Sequence, residues 1–84
     1  MSVPKTTAYV RILRQSLWDG QIEGEVSAGS YEWSFQWQFR QSRLIVQPSL
    51  GRALIHEPLE RFLERYDYQL EPGGDYEFIV RAKF

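Results

Sequence analysis

The chain has 84 residues, a net charge of −1, a hydrophobic fraction of 43% and no cysteine. This length fits one small domain, the apolar content excludes a disordered chain, and the absence of Cys excludes disulfide and thiolate chemistry. No apolar run approaches the roughly 20 residues that a membrane-spanning helix needs. We expect a single soluble, cytoplasmic domain over residues 1–84, with residues 1–6 as a flexible lead-in.

Two strands joined by a tight turn are predicted at the start of the chain. The first covers about residues 7–18 and the second residues 21–28, and Asp19-Gly20 between them is a strong hairpin signal. A two-residue turn centred there directs Leu13 and Leu17 toward the core. The partners expected across this hairpin are Leu17 with Ile22, Leu13 with Val26 and Arg14 with Glu25.

The third strand, residues 31–40, is the clearest element of the sequence. Every odd position in it is aromatic and every even position is polar. Side chains alternate between the two faces of a strand, so this pattern predicts one buried aromatic face and one wet face. Gly29-Ser30 precedes it with Gly first, as a type II′ turn requires. The expected pairs are Val26 with Trp33, Gly24 with Phe35 and Ile22 with Trp37.

A fourth strand is predicted over residues 43–47, after a turn at Gln41-Ser42. The expected pairs are Phe39 with Leu44 and Trp37 with Val46. The three turns agree on one buried face, which predicts a four-stranded antiparallel meander.

The hydrophobic period changes after Pro48. A short turn is expected over residues 50–55, and Glu57-Pro58 is expected to break or begin a helix, because Pro suits the first helical position. The helix that follows carries one apolar stripe, which should lie across the aromatic face. The residues of this stripe are Leu59, Phe62, Leu63 and Tyr66.

The last predicted strand covers residues 76–84 and follows an evident turn at residues 71–75. The fold class is therefore α+β: an antiparallel four-stranded meander, one main helix on the aromatic face and a closing strand, in the order ββββαβ. The closing strand pairs antiparallel with strand one or parallel with strand four. The sheet is expected to be strongly coiled, because one short helix cannot cover a flat one.

The predicted register places apolar residues on the solvent-exposed face of the sheet. Val10 and Ile12 point outward if Leu13 points inward, Ile79 lies next to them, and Trp18 stands at the hairpin tip. A contiguous exposed apolar patch often marks an interface. The alternative is a β-bulge that returns Val10 and Ile12 to the core and sends Arg11 outward. The sequence leaves both possibilities open.

No set of residues in the sequence dictates chemistry. His56 is the sole histidine, and a zinc site needs three or four suitably spaced ligands. No nucleophile, base and orienting group recur at a useful spacing, and no phosphate-binding glycine pattern is present. We expect no catalytic residue, no metal and no cofactor, and we expect the protein not to be an enzyme.

The first functional hypothesis is a non-catalytic protein–protein interaction module that binds through its outer sheet face or an edge strand. A protein partner is expected, membrane binding is not, and the chain itself is expected to be a monomer or a weak homodimer. The residues predicted for the surface are Val10, Ile12, Trp18, Ile79 and Arg81.

Two alternatives remain at this point. Single-stranded RNA could bind to outward aromatic rings and to Arg11, Arg14, Arg40 and Arg43. Nucleic acid is the weaker expectation, because a net charge of −1 opposes it. The other alternative is a small-ligand or enzymatic pocket between helix and sheet, ringed by His56, Glu57 and a tyrosine.

The chain resembles a family of short, uncharacterised cyanobacterial proteins. The resemblance lies in residues 8–12, in Gly24-Glu25-Val26 and in the aromatic strand of residues 31–40. It implies a cyanobacterial cytoplasmic protein of unknown function, and it transfers no catalytic or binding residue.

Overall fold

Five strands and one α-helix, in the order ββββαβ, form the part of the chain that the computed structural model describes, residues 4–66 and 69–84. This order confirms the predicted α+β class. The first strand begins within the expected lead-in, of which residues 1–3 lie outside the described residues. The elements are β1 (Thr6–Ser16), β2 (Gln21–Ala28), β3 (Tyr31–Gln38), β4 (Arg43–Gln47), α1 (Arg52–Tyr66) and β5 (Asp75–Val80).

The strands form one sheet with the spatial order β4-β3-β2-β1-β5, and all neighbours are antiparallel. The closing strand pairs with β1, so that Thr6 faces Val80 and Arg11 faces Asp75. This confirms the first of the two predicted positions for the closing strand. The helix connects β4 at one edge of the sheet to β5 at the other edge and contacts both strands.

The register between β2 and β3 follows the sequence prediction. A two-residue turn at Gly29-Ser30 joins the strands, and Gly29 has a positive φ of 61° while Ser30 does not. A positive φ at the first central position is what a type II′ turn needs. The observed pairs include Val26 with Trp33, Gly24 with Phe35 and Ile22 with Trp37.

The predicted register between β3 and β4 is wrong by two residues. Trp37 pairs with Leu44 and Phe35 with Val46, so the connection is a loop over residues 39–42. The backbone N–H of Phe39 donates to the carbonyl of Gly20 in the neighbouring hairpin loop at 3.0 Å, which removes Phe39 from the ladder. A shift of two residues leaves every side chain on its expected face.

The predicted register between β1 and β2 is also wrong, because β1 contains a bulge. The pairing shifts between Ile12 and Arg14, and Val10 faces Val26. The bulge inserts one extra residue and therefore exchanges the two faces of the strand. Leu13, which was expected in the core, is 53% exposed for this reason, whereas Leu17, also expected there, is 58% exposed because it lies in the loop beyond the end of β1.

The helix is longer than predicted. It runs without interruption from Arg52 to Tyr66 and contains Pro58, so the expected boundary at Glu57-Pro58 is wrong. Proline removes one intrahelical hydrogen bond. Burial of Ile55, which is 0% exposed, favours continuing the helix on the N-terminal side of the proline. The buried helical residues are Ile55, Leu59, Phe62 and Leu63.

The aromatic face of β3 lies in the core, between the sheet and α1. Trp33, Phe35 and Trp37 are 2%, 2% and 1% exposed. The indole N–H of Trp33 donates to the carbonyl of Leu50 at 2.8 Å, which ties β3 to the segment before the helix. These rings are therefore structural, as the sequence predicts.

Candidate functional site

Two of the five residues predicted for a protein-binding surface lie in the core. Val10 is 1% exposed and Ile12 is 0% exposed, so their expected position on the wet face is wrong. The bulge after Ile12 is the physical reason, since it returns both side chains to the inner face and leaves Arg11 exposed. The bulge alternative drawn from the sequence is the correct one.

The other three predicted residues are exposed, but the structure does not bring them together. Trp18 is 91% exposed in the loop between β1 and β2, and Ile79 is 57% exposed in β5. Ile79 pairs with Thr7, near the start of β1, while Trp18 follows the end of that strand. A strand from Thr7 to Ser16 spans about 30 Å. Trp18 therefore belongs to a different surface from Ile79 and Arg81.

Ile79 and Arg81 line a groove of about 950 Å³ between α1 and β5. Apolar and aromatic side chains from both elements form much of its wall. The stacked rings of Phe62 and Phe78, 5.1 Å apart, lie between the helix and the strand. Apolar residues that line this groove are Leu54, Phe62, Tyr66, Phe78, Ile79 and Ala82.

The groove runs along an open edge of the sheet, because β5 has a neighbour on one side only. The backbone N–H of Ile12 donates to the carbonyl of Gly74 at 3.1 Å, and the carbonyl of Ile12 accepts from the N–H of Gly73 at 2.8 Å, so residues 12 and 74 stand at the position of a hydrogen-bonding pair. Such pairs recur every second residue in an antiparallel ladder. The backbone groups of Tyr76, Phe78 and Val80 therefore face β1. Those of Glu77 and Ile79 face the open edge.

The opposite edge of the sheet is formed by β4, and the segment that follows this strand partly occupies it. The carbonyl of Val46 in β4 accepts a hydrogen bond from Nη1 of Arg52 at 3.4 Å, and α1 contacts this strand. Pro48, which has no N–H to donate, follows the strand directly. Of the two edges, β5 is the one where edge-facing backbone groups lie beside the apolar groove.

Charged side chains flank the groove. Arg61 pairs with Glu57 at 2.6 Å, and Arg65 lies 5.9 Å from the ring centre of Tyr66. Arg81 and Glu77 are exposed. Neither makes an ion pair with any residue in the two described ranges, 4–66 and 69–84.

The groups expected to bind RNA are dispersed. Arg11 pairs with Asp75 at 3.2 Å on the outer sheet face, and Arg40 donates to the carbonyl of Leu17 at 2.8 Å. Trp33, Phe35 and Trp37 are buried and cannot stack with bases, whereas the exposed rings of Tyr9 and Trp18 lie in β1 and in the hairpin loop. A shallow depression of about 680 Å³ on the outer face is lined by several acids, which oppose a phosphate backbone. Those acids are Glu25, Glu32 and Asp75.

The small-ligand or enzymatic pocket that the sequence left as an alternative does not contain all of its proposed residues. Glu57 and Tyr66 line the groove, but His56 does not, and its Nε2 lies 3.6 Å from Glu60 one turn along the helix. Among the residues described, no three His, Cys, Asp or Glu side chains form a group that could hold a metal ion. The helix is also too short and too polar to span a bilayer, and residues 4–66 and 69–84 contain no other candidate.

The sequence prediction missed the helical side of the groove. Leu54, Arg61 and Arg65 line it at positions i, i+7 and i+11 of α1. That face was not visible in the sequence, because the helix was expected to begin at Pro58. The usable signal in the sequence was the four-residue spacing of the apolar residues Ile55 and Leu59, which lie on either side of the proline.

The fold and the groove define an α+β domain whose antiparallel sheet is covered by a helix on one face and open at one edge. The chain belongs to the family DUF3146, described as a protein of unknown function, whose family model matches residues 4–83. This confirms the resemblance to a family of unknown function, while a cyanobacterial origin stays a prediction. Comparisons with curated proteins and with solved structures give no match.

Proposed function

We propose that this domain is a non-catalytic protein-interaction module that binds an extended polypeptide as an additional strand along β5. The observation that carries the proposal is the coincidence of two features at one place. The free backbone groups of Glu77 and Ile79 lie beside the groove under α1, which is lined by apolar side chains. Strand addition uses these two features, main-chain hydrogen bonds for affinity and side-chain pockets for specificity.

The alternation of a strand defines what the bound segment must look like. Every second side chain of an added strand points to the helical side, where Leu54, Tyr66 and Phe78 are available. The intervening side chains lie on the outer face beside Ile79 and Glu77. The module therefore favours an extended segment with apolar residues at alternate positions.

The proposal retains Ile79 and Arg81 from the predicted surface and leaves Trp18 out. Trp18 is exposed at the far end of β1, away from the groove. Its substitution by Ala therefore provides a matched control, because it removes an exposed apolar side chain from another part of the surface.

A displayed library of random twelve-residue peptides tests the proposal with the intact protein as bait, immobilised sparsely so that copies do not meet. The Ile79→Pro variant removes the free N–H at the open edge, and an edge position tolerates proline. We expect enriched peptides with alternating apolar residues that bind wild type and Trp18→Ala equally. They should bind Ile79→Pro at least tenfold more weakly.

Circular dichroism and thermal unfolding of each variant establish that it is folded before binding is compared. Enrichment no higher than with an unrelated bait would contradict the proposal. Equal binding of the enriched peptides to Ile79→Pro and to wild type would contradict it as well. Glu77→Pro, which blocks the neighbouring edge N–H, replaces Ile79→Pro if that variant does not fold.

A further inference from the structure

Residues of opposite charge lie at equal distances on the two sides of Ile79, so this segment is complementary to a second copy of itself that runs in the opposite direction. Glu77 lies two residues before Ile79 and Arg81 lies two residues after it. Both are exposed and lack an ion-pair partner among the residues that the structure describes. When two identical strands pair antiparallel around Ile79, each Glu77 meets Arg81 of the second copy.

The alternation of backbone hydrogen-bonding groups along β5 agrees with this register. The backbone groups of Ile79 face the open edge, so two copies of Ile79 can exchange both of their main-chain hydrogen bonds. Glu77 lies on the same face as Ile79, because it is two residues away in the strand, and Arg81 is the exposed residue that follows the end of the strand. Opposite charges at directly facing positions of an antiparallel pair are favourable.

The inner face is complementary as well. In the same register Phe78 lies opposite Val80 of the second copy. Both side chains are at least partly buried on the helical side, and Phe78 stacks against Phe62. The two grooves would meet along the joined edge, so Leu54 and Tyr66, which are 46% and 38% exposed, would face the second copy's groove.

Other registers lose the pairing of Glu77 with Arg81, and the one that sets Arg81 against Asp75 competes with the ion pair that Asp75 already makes with Arg11. A slip of two residues sets Ile79 against Glu77 or against Arg81, and a slip of four residues sets the two copies of Glu77 against each other. Like charges that face each other across strands are destabilising. The sequence of β5 therefore favours one antiparallel register, and this register has two-fold symmetry.

We infer that the extended partner of the β5 edge is β5 of a second copy of this chain, paired antiparallel about a two-fold axis at Ile79. The inference rests on the proposed function, since it names the segment that the open edge accepts. The ladder is carried by residues up to Val80, where the strand ends. Arg81 follows directly, and its long side chain makes the contact with Glu77.

Charge-exchange variants test this register. Glu77→Arg and Arg81→Glu each place like charges opposite one another at both ends of the paired strands, so each alone should dissociate the dimer. Mixing the two variants restores opposite charges in a heterodimer, and the double variant E77R/R81E restores them in a homodimer. Sedimentation velocity over a range of concentrations measures the dimer dissociation constant for each species.

We expect each single variant to dimerise at least tenfold more weakly than wild type. The equimolar mixture and the double variant should return to within about threefold of wild type, since facing opposite charges are restored. Trp18→Ala, whose change lies outside the edge, should match wild type. A monomeric wild type at the highest soluble concentration would overturn the inference. Single variants that dimerise like wild type, or a mixture that fails to recover, would overturn it too.

Failure of this inference can be distinguished from failure of the proposed function. If wild type is monomeric but still selects peptides that Ile79→Pro does not bind, the edge accepts strands and the second copy is not its partner. If Ile79→Pro changes neither peptide binding nor self-association, both proposals fail.

Discussion

The ring of Phe35 in β3 lies directly against Gly24 in β2. A Cβ built on Gly24 would be 2.8 Å from Cζ of Phe35 and would clash with the carbonyl oxygen of Arg11 in β1. The middle strand thus approaches an aromatic ring on one neighbour and the backbone of the bulged strand on the other. There is therefore no space for a side chain larger than hydrogen at position 24.

Gly24→Ala should destabilise the domain by about 3 kcal/mol, because the added methyl group forces the ring and the bulged backbone apart. Chemical denaturation measures the change in the free energy of unfolding. Ser27→Ala, on the outer face of the same strand, is the control and should change it by less than about 0.5 kcal/mol. Equal effects of the two substitutions would contradict the packing described here.

Trp33 and Trp37 share the buried face of β3 but differ in hydrogen bonding. Nε1 of Trp33 donates to Leu50, whereas Nε1 of Trp37 is buried without a partner among the described residues. Replacing either by Phe removes similar apolar area. We expect Trp33→Phe to be the more destabilising by about 1–2 kcal/mol, because only Trp37→Phe also removes an unsatisfied donor.

Thermal and urea unfolding of the two variants under identical conditions give this comparison directly. Because each is the other's control, the prediction concerns the difference between them and not the absolute cost. A Trp37→Phe variant that is as unstable as Trp33→Phe, or less stable, would show that the indole N–H of Trp37 has a partner.

The tryptophans should be separable by fluorescence. Trp18 is 91% exposed, while Trp33 and Trp37 are 2% and 1% exposed. Trp18→Phe should therefore shift the emission maximum to shorter wavelength and greatly reduce quenching by acrylamide. Trp37→Phe is the control and should leave the quenchable component in place. Emission from Trp18→Phe that is quenched as strongly as wild type would place the other indoles in water.

Pro58 should cost stability within α1. It has no N–H to donate to the carbonyl of Leu54, four residues earlier in the helix. Pro58→Ala should raise the free energy of unfolding by about 1 kcal/mol, because alanine has the higher helix propensity. This gain should exceed two opposing effects, the lost packing of the half-buried proline ring and the greater conformational freedom of the unfolded chain. The measurement is denaturant unfolding, with Glu64→Ala on the exposed helical face as control. A loss of stability would mean that packing of the proline ring outweighs the missing hydrogen bond.

Local patterns in the sequence were sufficient for the central hairpin. The alternation of β3 and the Gly29-Ser30 turn together gave the register that the structure has, with Gly24 beneath Phe35. Turn geometry and side-chain alternation act over a few residues, so they can be seen in the sequence. The same reasoning placed Ile79 on the exposed face of the last strand, but it extended that strand to residue 84, whereas β5 ends at Val80.

Local patterns were insufficient for β1 and for the start of α1. The alternation of β1 fits two opposite assignments of its faces, and the choice depends on a bulge after Ile12. Asp19-Gly20 suggested a two-residue turn, but pairing stops at Ser16 with Gln21 and leaves a longer loop. Arg40 from the next loop donates to the carbonyl of Leu17 within that loop, and no short-range pattern predicts such a contact.

The amino-acid sequence by itself determined the α+β class, the order of the elements and the burial of the aromatic face of β3, because side-chain periodicity and turn chemistry are properties of short segments. Only the tertiary structure decided which face of β1 is buried, that α1 continues through Pro58, and that β5 lies beside β1 with one edge open. These outcomes depend on contacts between residues far apart in the chain, where burial of Val10, Ile12 and Ile55 outweighs local preference. The candidate binding edge belongs to this second group, since it arises where the chain places its last strand.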